Sequence, residues 1–81
     1  MSDSIETEKG NIVRVDEVYS VKPLYLDKRY PARCLGIYER TISGSEVFVV
    51  EFKFTEDAKD SIVGIHRRVK SYDLDFVVFD E

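Results

Sequence analysis

The chain has 81 residues, 43% of them hydrophobic, and a formal net charge of −4 from 12 basic and 16 acidic side chains. That length and composition fit one small domain with a single core, and a lone cysteine, Cys34, excludes an internal disulfide. Residues 1–10 carry three acids and one Lys and residues 71–81 four acids and no base, leaving 11 bases and 9 acids between them. Acidic ends on a mildly basic body suit neither a generic duplex-DNA binder, which needs many phosphate contacts, nor a DNA mimic, which needs a continuous anionic surface.

Residues 1–10 are polar and aperiodic, which predicts a disordered acidic tail ahead of a single β-domain over 11–81. The N-terminus lacks the basic and apolar regions of a signal peptide. Apolar runs such as Val47 to Val50 are too short to span a membrane. With one unpaired thiol, these features point to an intracellular protein, cytoplasmic or nuclear, with no membrane contact.

From Ile12, the residues Val13, Val15, Tyr19 and Val21 alternate with Arg14, Asp16 and Ser20 as in a half-buried strand, and Glu17 marks a bulge or an edge. Residues 22–31 read as an irregular loop bounded by Pro23 and Pro31. Tyr30 to Phe54 reads as one long β-hairpin turning at Ser43-Gly44-Ser45. In its second arm Phe48, Val50, Phe52 and Phe54 share one face by the two-residue period, opposite Val49, Glu51 and Lys53. Residues 55–60 form a polar link in which Thr55 can cap a helical turn. Ser61 to Lys70 resumes strand character, with Val63, Ile65 and Val69 opposite Gly64, His66 and Arg68. A turn at 71–75 precedes a short last strand, Phe76 to Phe79.

This gives an all-β chain of five strands: a long loop after the first, tight links among the next three, and a short turn before the fifth. That spacing resembles the SH3-like small barrel. The run Tyr30-Pro31-Ala32-Arg33-Cys34-Leu35-Gly36-Ile37, followed by Val47-Phe48-Val49-Val50-Glu51-Phe52, looks like the Tudor subgroup. Where that subgroup has an aromatic-Asp-aromatic-Gly segment after its third strand, this chain has Phe54-Thr55-Glu56-Asp57, so the resemblance does not extend to a cage for methylated side chains.

Little in the sequence serves catalysis. His66 and Cys34 are the only His and Cys, and Cys34 shares a face with Ala32 and Gly36, where small buried residues pack; a core role fits it better than that of a nucleophile. No metal-ligand set and no phosphate loop stand out, and the acids Asp73, Asp75, Asp80 and Glu81 lack calcium-loop spacing. No cofactor is implied, and the reading is non-enzymatic. The five Phe follow strand periodicity, whereas most Tyr sit in or beside loops, where an amphipathic ring contacts a partner. In an SH3-like barrel the first loop and the turn before the last strand gather at one side, which would bring Tyr25 and Tyr30 near Tyr72, with Lys28 and Arg29 alongside. The sequence therefore points to an interaction module, an adaptor, regulator or inhibitor, that binds another protein there. The alternative is a nucleic-acid-binding barrel using Arg33, His66, Arg67, Arg68 and Lys70, against the plainer reading of a solvated strand whose charges discourage edge pairing.

Overall fold

The hairpin is the spine of the fold. In the computed structural model, which describes residues 3–80, its arms are β4 (Tyr30–Ile42) and β5 (Ser45–Phe54). Ser43 and Gly44 connect them at φ values of 51° and 81°. A two-residue turn with both φ values positive matches the right-handed twist of the strands it joins. The other strands are β1 (Ser4–Glu6), β2 (Ile12–Arg14), β3 (Val18–Val21) and β6 (His66–Lys70), followed by a 3-10 turn at Ser71–Asp73 and a one-turn helix, α1 (Leu74–Val77). Strands β3-β4-β5-β6 form an antiparallel sheet in that order, and β1 pairs with β2 in a separate ribbon. The sheet curls into a half barrel.

Register explains the core. Ala32 pairs with Phe54, Cys34 with Phe52, and Ile37 with Val50, with one extra residue, Leu35, between Cys34 and Gly36. That bulge inverts the alternation of β4, so Ala32 and Cys34 before it, and Ile37 after it, all face inward. Gly36 therefore lies on the opposite face from Cys34, contrary to the simple period. There a Cβ on Gly36 would come within 2.7 Å of the Tyr38 hydroxyl, so the glycine makes room for that ring. Val50 pairs in turn with Val69 of β6. Phe52, Val50, Cys34, Ala32, Val13, Val21 and Leu74 are completely buried, and each large apolar side chain so buried contributes about 1.5–3 kcal/mol. Tyr19 packs edge-to-face on Phe52 and Phe79. Its hydroxyl accepts from the Arg14 N–H at 2.7 Å and donates to Glu17 at 2.9 Å.

Four expectations need correction. Met1 and Ser2 of the predicted tail lie outside the described residues, but Ser4–Glu6 is a strand on β2 rather than disordered. A turn at Gly10, with φ 88°, reverses the chain. Thr7, Asn11 and the Lys9 N–H then converge on the carboxylate of Asp75, at 3.0 Å for Asn11 and 3.1 Å for Lys9. Burial of Asp75 would raise its pKa, but these hydrogen bonds and the Lys9 charge outweigh burial and hold it below the usual 3.8.

The predicted first strand is two strands, because Asp16 takes a positive φ of 73° and breaks the run. The predicted last strand is helical instead. Leu74, Val77 and Val78 are buried while Phe76 is 59% exposed, which is the three-to-four residue period of a helix. Four apolar residues in a row are compatible with either state. Finally, strand structure in 61–70 begins only at His66, because turns at 59–64 place Gly64 at φ 82°. Val63 and Ile65 consequently lie outside the core. Among the described residues no helix is long and apolar enough to cross a membrane.

Candidate functional site

The turns that displace Ile65 from the core also border an apolar concavity. A cleft of about 350 Å³ lies between the loop after β3 and the approach to β6, lined by Leu24, Tyr25, Leu26, Phe54, Ile62 and Ile65 together with His66 and Arg67. Its floor is fixed, because Phe54 and Ile62 are buried and the Phe54 N–H donates to the Ile65 carbonyl at 3.0 Å. Its rim is wet: Tyr25 is 93% exposed, Leu24 64% and Ile65 50%. A cluster of exposed apolar side chains over a fixed apolar floor is what partner contact uses.

The five residues expected to bind a partner do not form one patch. Tyr25 stands on the rim. Tyr30 opens β4 opposite Val21 and packs on the core. Arg29 is committed to the fold: it donates to the Phe76 carbonyl at 2.7 Å and to the Val77 carbonyl, and pairs with Asp80 at 3.3 Å. Lys28 is exposed beside it. Tyr72 follows the far end of β6, 52% exposed, under the Lys70 ammonium at 5.9 Å. Tyr25 lies by the first residue of β6 and Tyr72 beyond its last, so the strand itself separates them. Ile62 and Ile65 enter the site although the sequence assigns that segment to a strand. Isolated Gly64 between them is the one signal of a break.

Several side chains of the alternative site are also engaged. Glu51, opposite Arg68 in the register, forms an ion pair with Arg68 at 3.2 Å and is hydrogen-bonded to His66 Nδ1 at 3.2 Å. The Arg67 Nε donates to the Lys22 carbonyl at 3.3 Å, and Arg33 donates to the Asp16 carbonyl. Arg33 and Lys53 pair directly on the outer face of the sheet and line a second, larger concavity of about 610 Å³, shared with the acids Glu56 and Asp57.

Cys34 and His66 do not meet. Cys34 faces the core opposite Phe52, whereas His66 faces outward opposite Lys53. Burial pushes the Cys34 thiol up to about 11, away from the thiolate a nucleophile needs. Among the described residues no group of three or more His, Cys, Asp or Glu is placed to hold a metal ion. Of the terminal acids, Asp75 is hydrogen-bonded to residues 7–11 and Asp80 is paired with Arg29, while Glu81 lies outside the described residues. Comparisons with family models, with curated proteins and with solved structures find no match to this chain.

Proposed function

We propose that this chain is a non-enzymatic protein-interaction module, a small intracellular adaptor or regulator built on an SH3-like small barrel, and that it binds another protein through the Tyr25 cleft. The observation that carries this reading is the trio Leu24, Tyr25 and Ile65, each at least half exposed around an apolar floor. Keeping such side chains in water gains the fold nothing, and a partner that covers them gains their burial. The antiparallel β3-β4-β5-β6 order and half-barrel curl support the barrel assignment. A Tudor-like aromatic cage has less behind it, since the ring pairs of Tyr19 with Phe52 and Phe79 are packed into the core.

Nucleic-acid binding ranks second. Of its five side chains, Arg33 and Arg67 are hydrogen-bonded to backbone carbonyls and His66 and Arg68 share Glu51, which leaves Lys70 as the cation with only a tyrosine ring beside it. Quantitative capture from the native lysate with tagged wild type and Tyr25→Ala, with and without nuclease, tests the choice. The reading expects a protein whose retention survives nuclease and falls at least tenfold with Tyr25→Ala, the loss of about 1.4 kcal/mol. Retention that disappears with nuclease and ignores Tyr25→Ala would overturn it.

A further inference from the structure

The four-stranded sheet has two edges. On β3 the outward Ser20 carbonyl accepts from Arg29 at 3.4 Å, and just beyond that strand the Lys22 N–H donates to the Val77 carbonyl at 3.4 Å. Among the described residues β6 pairs only with β5. The bond from the Phe54 N–H to the Ile65 carbonyl sets the phase of that ladder. Alternate residues of an antiparallel strand direct their backbone groups to the same neighbour, so Arg67 and Val69, in phase with the Ile65 carbonyl, turn theirs toward β5. His66, Arg68 and Lys70 then present N–H and C=O groups to the open edge. Among these groups, the Arg68 carbonyl receives a long bond of 3.4 Å from the Arg67 side chain. An unpaired edge is a template for another strand.

Resting on the reading that the Tyr25 cleft binds a protein, we propose how that partner docks: an extended segment alternating apolar and acidic residues adds to β6 as a further antiparallel strand. The alternation follows from the side chains flanking the edge. On the outer face an added strand meets exposed Lys70, and exposed Arg68 whose partner Glu51 lies on the β5 side, away from the open edge, which calls for acidic residues opposite them. On the inner face it meets half-buried Arg67 and then, past the start of β6, the rim of Leu24, Tyr25 and Ile65, which calls for apolar ones. The same cations disfavour a second copy of this chain as occupant, because antiparallel pairing of two β6 strands about Arg68 sets like charges against each other. The 3.4 Å bond from Arg67 to the Arg68 carbonyl is the contact an incoming N–H replaces.

The test is a titration of the full chain with capped synthetic peptides of about six residues, a common strand length. One alternates Ile and Glu, a second carries Lys in place of Glu, and a third is the first with alternate backbone amides N-methylated. Binding of the first peptide should slow hydrogen exchange at Arg68 and Lys70 and weaken with salt. The Lys peptide should bind at least tenfold more weakly, and N-methylation in the pairing register should abolish binding. Arg68→Pro removes an outward N–H while sparing the β5 ladder, so it should block the peptide. Arg68→Ala should only weaken it, with both variants checked for a cooperative melt. Binding of the N-methylated peptide equal to the parent in both registers, with Tyr25→Ala weakening both, sinks strand addition and leaves the cleft reading standing. Peptide binding that protects β6 but ignores Tyr25→Ala supports the edge and sinks the cleft. No binding of any peptide, while Tyr25-dependent capture from lysate persists, overturns the edge proposal alone.

Discussion

Close to the other strands, the β4–β5 hairpin sets Cys34 against Phe52 and Ile37 against Val50 on a dry face, whereas past Val49 the same two strands set Glu39 against Phe48 in partial contact with water. The alternation of β5 is continuous through both halves, yet Phe52 is fully buried and Phe48 is 40% exposed. The difference lies in what covers the strands. β6 reaches along β5 only to Val49 and β3 along β4 only to Arg33, so the distal half is a two-stranded ribbon that neither of those strands flanks. Periodicity states which face a side chain takes; burial needs a second layer, and that depends on the length of the neighbouring strands.

The largest effect should come from the proximal half. Phe52→Ala removes a completely buried ring that also meets Tyr19 edge-to-face and should cost about 3–5 kcal/mol, comparable with the whole stability of a small domain. Thermal melts should show it largely unfolded at room temperature. A wild-type-like transition would mean that the two halves do not differ and that the core lies elsewhere.

Next is the closure of the N-terminal ribbon on Asp75. Its folded pKa lies below the unfolded 3.8, so its contribution is present above 3.8 and is lost as pH falls through the lower folded value. Asp75→Asn should lower the melting temperature at pH 7 and speed hydrogen exchange in residues 4–14, and the gap to wild type should narrow on acidification below 3.8. A gap that stays constant with pH would show that the carboxylate charge is not what ties residues 7–11 down.

Cys34, paired with Phe52 on the dry face, should show a smaller effect. A thiol reagent should label it slowly in the native protein and quickly in denaturant, and Cys34→Ala should cost about 1 kcal/mol. Because burial raises its pKa to about 11 from 9.0, the stabilisation from a neutral thiol is complete below 9.0 and is lost as pH rises through about 11. Rapid native labelling would place Cys34 at the surface and break the register that defines the proximal half.

Much of this was legible in the residues. The hairpin, its turn at Ser43-Gly44 and the inward Val50, Phe52 and Phe54 follow from alternation and turn chemistry. So does Tyr25 as an exposed aromatic in the first loop. What alternation could not carry were the interruptions. The bulge at Leu35 reverses which residues face in, and the positive φ of Asp16 splits a strand without Gly or Pro to announce it. The N-terminal residues read as a tail because their order depends on Asp75, more than sixty positions away. Phe76 to Phe79 read as a strand because a run that short has no period to measure. The candidate site suffered most: Ile62 and Ile65 reach the cleft through turns that the sequence marks only with Gly64, and Tyr72 is held away from Tyr25 by the length of β6.

Phe48 offers the smallest effect and the sharpest check. Its ring occupies the same face as Phe52, one register pair after Val49, and at 40% exposed it has less buried surface to lose to Ala than Phe52. Cross-strand contacts of that kind contribute about 0.2–1 kcal/mol, so Phe48→Ala should shift chemical denaturation by about 1 kcal/mol or less with an unchanged slope. Shortening the ribbon by deleting the pair Thr41 and Glu46, which are register partners, should leave Phe52→Ala as damaging as before, since the proximal pairs remain. A cost for Phe48→Ala above about 2 kcal/mol is outside what a two-stranded ribbon supplies. It would mean either that the distal half is packed against a second copy in solution or that the ribbon itself supplies more than expected, and concentration dependence of the denaturation midpoint would tell which. A second copy makes stability rise with protein concentration, because association favours the folded state by mass action; a midpoint that does not move with concentration returns the cost to the ribbon itself and erases the distinction between the two halves.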